Sequence, residues 1–239
     1  MPPLVLIHGA GGSHLSWPAD IRRMVGTTVL ALDLPGHGKS SGVGKQTTAD
    51  YAREVIAFMD DIAIWKAVLV GHALGGAVAL QLALLAPERV AGLCLLSCAM
   101  RLPVAEAILE SVTNAATHAQ ALQTLLDGAF AQENTPGRAQ FARLLAATRP
   151  AVLHGDLLAS DRFDVSAALG PLRLPALVIC GTEDRVVPMN QARSLSNAIP
   201  DAAFQTIDGA GHAVMWEQPR RVSALIDLFV RTVPYTPGG

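Results

Sequence analysis

The sequence predicts an α/β fold: one mostly parallel sheet of about six strands with helices flanking it. Two observations predict it. Short runs rich in Val, Ile and Leu alternate with longer runs of helical periodicity, the pattern that repeated βαβ units produce. Several of the short runs end in a glycine-containing turn from which the next segment departs, as a strand leading into a crossover does. A third observation marks an exception to the alternation, because residues 101–170 carry helical periodicity and no convincing strand.

Strands are expected near residues 4–8, 28–33, 67–72, 91–97, 175–181 and 203–207. Between the second and third, Tyr51 to Asp61 sets Ala52, Val55, Ile56 and Met59 at helical spacing while Arg53, Glu54 and Asp60 face water, so one side packs on the sheet. After the third strand a helical run covers Ala77 to Leu85. The Ala- and Leu-rich interval from Arg101 to Gly170 is broken at Asn134–Gly137 and at Pro150. Because it follows a strand end, it is expected to cover the carboxyl edge of the sheet, where open α/β sheets bind ligands. The expected organisation is a core of residues 1–100 and 171–239, a helical cap at 101–170 inserted after the fourth strand, and a tail of turn composition at Pro234–Gly239.

Composition excludes several functions. With 51% apolar residues, the 239-residue chain can bury one large core. The 18 Lys and Arg nearly balance the 20 Asp and Glu, for a formal charge of -2, and they are scattered, so no basic stripe exists to neutralise a nucleic-acid backbone. The opening Met1-Pro2-Pro3-Leu4-Val5-Leu6-Ile7-His8 has no basic region and too short an apolar run for a signal peptide or membrane span, so a soluble cytoplasmic protein, monomer or homodimer, is expected. Cys94 and Cys98 would stand roughly 13 Å apart along one strand, too far to bridge, and with Cys180 they are read as reduced core residues. The seven histidines lack Cys or carboxylate partners at ligand spacing, so neither metal nor cofactor is expected.

Four segments carry chemistry. Gly71-His72-Ala73-Leu74-Gly75-Gly76 joins the apolar strand Val68-Leu69-Val70 to a helix. A sharp turn in that context lifts its central side chain to the top of the sheet, as a nucleophile elbow does, but the central residue is alanine and cannot form an acyl intermediate. The strand Leu4-Val5-Leu6-Ile7 runs into His8-Gly9-Ala10-Gly11-Gly12, whose backbone N–H groups could turn toward an oxyanion. This loop lacks the Lys-Ser or Lys-Thr of a phosphate loop and the glycine spacing of a dinucleotide fingerprint. Asp184, in Gly181-Thr182-Glu183-Asp184, follows the fifth strand, and His212, in Gly209-Ala210-Gly211-His212, follows the sixth. Both therefore sit on the same sheet edge as the elbow, in the chain order nucleophile, acid, base, with Glu183 as a rival acid. Each segment taken singly is also readable as an ordinary turn or surface residue.

Together these segments resemble the α/β-hydrolase superfamily over nearly the whole chain, in particular a bacterial branch of carboxylesterases, enol-lactonases and methyl esterases whose elbow commonly reads G-H-S-L-G-G. Ala73 stands where that serine would be. The resemblance implies an acid at Asp184, a base at His212, and oxyanion donors at the backbone N–H groups of Ala10 and Leu74. Asp33-Leu34-Pro35-Gly36-His37-Gly38-Lys39-Ser40 is similar to the family's D-x-x-G-x-G-x-S loop, and Glu217-Gln218-Pro219 to the segment after its histidine. The family usually has two strands before the His-Gly loop, and this sequence starts almost at that loop, so six strands are expected.

Three functions remain open on these grounds. In the one carried forward, Ala73 replaces a native serine, and the serine form hydrolyses small to medium apolar esters or lactones, so the chain as given is inactive. In the second, the fold is a natural binding protein, a receptor or scaffold without a nucleophile. In the third, His212 acts as general base on water or a carbon acid. The apolar residues of the cap, among them Leu102, Ile108, Leu125, Phe141, Leu144 and Leu145, point to a ligand with an apolar portion, and Arg101 at the cap entrance is a candidate for meeting a negative charge. His14 and His72 lie near the active edge and are read as structural, hydrogen-bonded residues.

Overall fold

A computed structural model describes residues 1–236, so residues 237–239 of the expected C-terminal tail lie outside the described residues. The chain runs β1 (Leu4–Ile7), α1 (Ala19–Arg22), β2 (Val29–Ala31), α2 (Thr48–Asp61), β3 (Ala67–His72), α3 (Leu74–Leu85) and β4 (Val90–Leu96). Four helices follow without an intervening strand: α4 (Glu106–Thr113), α5 (His118–Ala129), α6 (Arg138–Ala147) and α7 (Pro150–Asp161). The alternation then resumes with β5 (Ala176–Gly181), α8 (Met189–Ala198), β6 (Ala203–Ile207), α9 (Val214–Glu217) and α10 (Pro219–Thr232). All five strand pairings are parallel, in the order β2-β1-β3-β4-β5-β6. The expected six-stranded parallel sheet with flanking helices is the one found.

The sheet is apolar on both faces because helices cover both, as parallel sheets require. Successive side chains point to opposite faces. In β1, Val5 and Ile7 join one core with Tyr51, Val55 and Met59 of α2, while Leu4 and Leu6 join a second core with Val222, Ile226 and Val230 of α10. Tyr51, Val55 and Met59 recur every four residues, and so do the three α10 residues, so each helix presents one stripe to the sheet. Helix α2 starts one turn before the predicted Tyr51, at Thr48, because the Thr47 hydroxyl accepts the Asp50 N–H at 3.1 Å and caps it. Cys94 is in β4 and Cys98 just past its end, and all three cysteines are buried, which raises their thiol pKa values. No helix among the described residues is long and apolar enough to cross a membrane.

The strand order sets where a ligand can enter. Both β2 and β3 flank β1, so the connection leaving β1 goes to one side and the connection leaving β3 goes to the other. The gap between the carboxyl ends of β1 and β3 is the topological switch point, where α/β sheets place their crevice. The inserted helices α4–α7 reach this gap, where Leu145 and Leu153 pack against Ala10. Arg101 and Asp164 form a β-bridge at the neck of the insertion, joined by an ion pair at 3.1 Å.

Candidate active site

The turn between β3 and α3 consists of one residue. Ala73 sits at φ +48°, ψ −112°, a conformation that costs a side-chain-bearing residue energy and persists only where the surroundings impose it. The surroundings here are the start of α3 pressed against the end of β1: a Cβ added to Gly75 would lie 2.0 Å from the Ile7 carbonyl oxygen. Only glycine permits that approach, and the approach makes the turn sharp. The Ala73 N–H is held by the Leu96 carbonyl at 3.0 Å, which ties the turn to the end of β4.

Asp184 follows β5 and His212 follows β6, and the structure brings them together. The His212 Nδ1 lies 3.2 Å and 3.1 Å from the two carboxylate oxygens of Asp184. Asp184 Oδ1 also accepts the N–H groups of Val186 and Val187, at 3.0 and 2.8 Å, which locks the carboxylate in place. Burial opposes its ionisation, but the interaction with His212 and the amide hydrogen bonds outweigh that and hold its carboxyl below the usual carboxylate range. An ionised Asp184 keeps the proton of a neutral His212 on Nδ1 and leaves Nε2 free to accept one. Glu183 is exposed, and of the two acids it is Asp184 that pairs with His212.

The glycine-rich loop after β1 closes the third side. Gly9 O accepts the Gly12 N–H at 3.1 Å, Gly11 stands at φ +64°, and neither the Ala10 N–H nor the Leu74 N–H has a protein acceptor among the described residues. Both residues line the same cavity as Ala73 and His212, so two unpaired donors border the crevice. The cavity encloses about 250 Å³. Its walls are mostly apolar: Leu102, Ile108, Leu125, Phe141, Leu144 and Leu145 come from the inserted segment, and Val186 and Val187 from the loop carrying Asp184. Arg101 lies at its rim, already paired with Asp164.

Supporting contacts explain the remaining polar residues. His72 donates from Nε2 to the His212 carbonyl at 2.9 Å and is fully enclosed; burial, with repulsion from His212, pushes its pKa down to about 3. It is thus a neutral prop for the His212 loop. Glu217 accepts the Gly211 N–H at 2.6 Å and the Ala131 N–H at 3.0 Å, clamping that loop to the segment after α5. His14 and Asp33 pair at 2.9 Å, and Asp33 also accepts the N–H groups of His14 and Lys39, so the Asp33–Ser40 loop is held by its own first residue.

One group was missed in the sequence. Asp156, on α7, is completely buried and accepts hydrogen bonds from Tyr51, His37 and the Gly11 N–H. A signal existed: it is the one acid in the apolar run Val152-Leu153-His154-Gly155-Asp156-Leu157-Leu158, four residues after the buried Val152. A carboxylate on the buried stripe of a helix needs partners.

A profile of the alpha/beta hydrolase family matches residues 4–225. This chain belongs to the alpha/beta hydrolase family. Among its relatives, this family member is 34% identical to the dihydrolipoyllysine-residue acetyltransferase component of an acetoin cleaving system from Pseudomonas putida, over 96% of this chain but 63% of that protein. It thus spans less than two thirds of that relative. Over 98% of this chain and 95% of the other, it is 33% identical to RutD of Pseudomonas syringae pv. syringae (strain B728a), provisionally named a carbamate hydrolase. In three dimensions it matches a thermophilic esterase with a TM-score of 0.86 at 32% identity, over 98% of this chain and 91% of that one.

Proposed function

We propose that this fold is built for serine-type hydrolysis of carboxylic esters or lactones with an apolar portion, and that Ala73 occupies the position of the nucleophile. The observation that carries the reading is the pairing of His212 with a buried Asp184 beside a one-residue strained turn at φ +48°. Strain of that kind is maintained where a side chain must be presented. Residues 101–170 are taken as the cap that closes over the ligand, and its apolar wall favours an acyl or alcohol group without charge. The esterase among the structural relatives supports an ester; the carbamate hydrolase name of RutD is compatible with the same acyl-transfer chemistry.

With serine at position 73, hydrolysis runs through an acyl-serine. His212 Nε2 takes the hydroxyl proton as the oxygen attacks the carbonyl carbon, and the N–H groups of Ala10 and Leu74 hold the resulting oxyanion. The tetrahedral adduct collapses as His212 returns the proton to the leaving alcohol, leaving an acyl group on the serine. Water, deprotonated by His212, attacks that acyl group, and a second collapse releases the acid and restores the hydroxyl. Without the hydroxyl there is no covalent step, and turnover falls by on the order of 10⁶ while ground-state binding persists.

The test is Ala73→Ser. The serine form should hydrolyse short- and medium-chain p-nitrophenyl esters, and the alanine form and a serine form carrying His212→Ala should not. A folded serine form that is silent on acyl esters and lactones overturns the reading and leaves a binding protein without a nucleophile in its place.

A further inference from the structure

We infer that Asp156, buried in the inserted helix α7, is a positioning residue for the amide loop at the active edge, so that the inserted helices set the geometry of the oxyanion donors as well as covering the ligand. The inference deepens the proposed esterase reading and rests on it for its kinetic readout.

The loop Gly9–Gly12 belongs to no helix or strand, and its one side chain, the methyl of Ala10 packed against Leu145 and Leu153, is too small to fix how its peptide groups turn. Its orientation comes from hydrogen bonds on both sides. On the core side, His8 Nε2 accepts the Leu34 N–H at 3.1 Å, which leaves the proton on Nδ1 to be donated to Gly9 O at 2.8 Å. In a trans peptide the carbonyl and the following N–H point in opposite directions, so pinning Gly9 O aims the Ala10 N–H away from the core. On the other side, Asp156 Oδ2 accepts the Gly11 N–H at 2.8 Å, and the Thr148 hydroxyl, at the end of α6, donates to Gly11 O at 2.9 Å. The two peptide groups flanking Ala10 are therefore held independently, one by the core and one by the insertion.

The carboxylate itself is held to the core. Its Oδ1 accepts the Tyr51 hydroxyl from α2, and its Oδ2 also accepts His37 Nε2 at 2.8 Å. Burying such a charge costs several kcal/mol, and an apolar replacement of similar size is often neutral or stabilising, so a buried pair is by itself a weak source of stability. What an apolar residue could not do is hold a backbone N–H next to the cavity. Gly11 suits this geometry alone, since it lies at φ +64° and a Cβ there would come 2.7 Å from the Leu145 side chain.

Steady-state kinetics of the Ala73→Ser protein carrying Asp156→Ala, Asp156→Asn or Tyr51→Phe test the inference. Asp156→Ala should lower kcat roughly ten- to a hundred-fold with KM nearly unchanged, the range expected when an aligned group is displaced by about an ångström. Asp156→Asn should restore most of it, because its amide oxygen can accept from Gly11 while its NH₂ faces Tyr51. Tyr51→Phe should lower the unfolding temperature yet leave kcat within about two-fold, since the Gly11 contact survives. If Asp156→Ala does not fold, Thr148→Val removes the other hold on Gly11 without stranding a charge, and a smaller fall in kcat is expected. Equal kcat in all variants, or losses that merely follow unfolding temperature, overturn the inference. Deuterium uptake at Gly9–Gly12 in the alanine protein gives a readout free of activity: Asp156→Ala should raise it and Tyr51→Phe should not. If the serine form hydrolyses nothing, the esterase reading fails by itself, and unchanged uptake in Asp156→Ala is the result that overturns the positioning role.

Discussion

Asp184 lies buried against His212, while Glu183 beside it is open to solvent. The two carboxylates have similar intrinsic acidity, and their surroundings decide their roles. In the serine form, Asp184→Asn should lower kcat by roughly 10⁴, because an amide facing Nδ1 no longer favours the tautomer in which Nε2 accepts a proton. Glu183→Gln, assayed on the same ester, should change nothing beyond about two-fold. A comparable loss in Glu183→Gln would mean that the wrong acid has been assigned. His72 illustrates the other residue-scale lesson: a histidine next to the turn is a neutral hydrogen-bond donor to the His212 carbonyl, because its complete burial disfavours the charge.

Elements depend on single contacts at their ends. Helix α2 carries Tyr51, which reaches Asp156, and its first turn is held by the Thr47 cap. Thr47→Ala should cost about 1 kcal/mol, read from urea unfolding of the alanine protein, with the slope unchanged. The start of α3 is less forgiving. Gly75→Ala would place a methyl 2.0 Å from a backbone oxygen of β1, and neither element can retreat without opening the sheet. This variant should lose at least about 3 kcal/mol or fail to accumulate folded, an outcome that circular dichroism and thermal unfolding distinguish.

For the whole molecule, the buried histidines set the pH dependence of stability. Burial pushes His8 down to about 4 and His72 down to about 3, whereas in the unfolded chain both take up a proton near 6.5. Between those values the unfolded state binds more protons, so stability rises with pH and is lost as the solution is acidified below about 6.5. Asp184 and Asp33, both held below the usual carboxylate range, extend the loss once they are forced to protonate. His37 acts in the opposite direction. Burial disfavours its charge, but Asp156 prevails and raises its pKa, so its contribution is complete below 6.5 and fades as pH rises through its folded value. The unfolding temperature should therefore peak near neutrality and drop steeply from pH 6.5 to 4.5. A flat profile over that interval would contradict the neutral state assigned to His8 and His72.

The sequence by itself determined where the strands fall, that a helical segment rather than a strand follows β4, and that a glycine-rich loop, an elbow, an acid and a histidine stand at strand ends. These are matters of local period and of adjacency along the chain, so neighbouring residues carry the whole signal. Even there the first turn of α2 was unread, because a threonine cap is a weaker mark than an apolar stripe. Only the tertiary structure decided which acid faces His212, that Glu217 clamps the loop, and that Asp156 joins α7 to Tyr51, His37 and Gly11. The Asp156 contacts span 105 to 145 residues of chain, and a hydrogen bond between residues so far apart leaves no period or motif in the sequence between them. They exist because the parallel sheet gathers its loops on one edge and the insertion folds back over that edge.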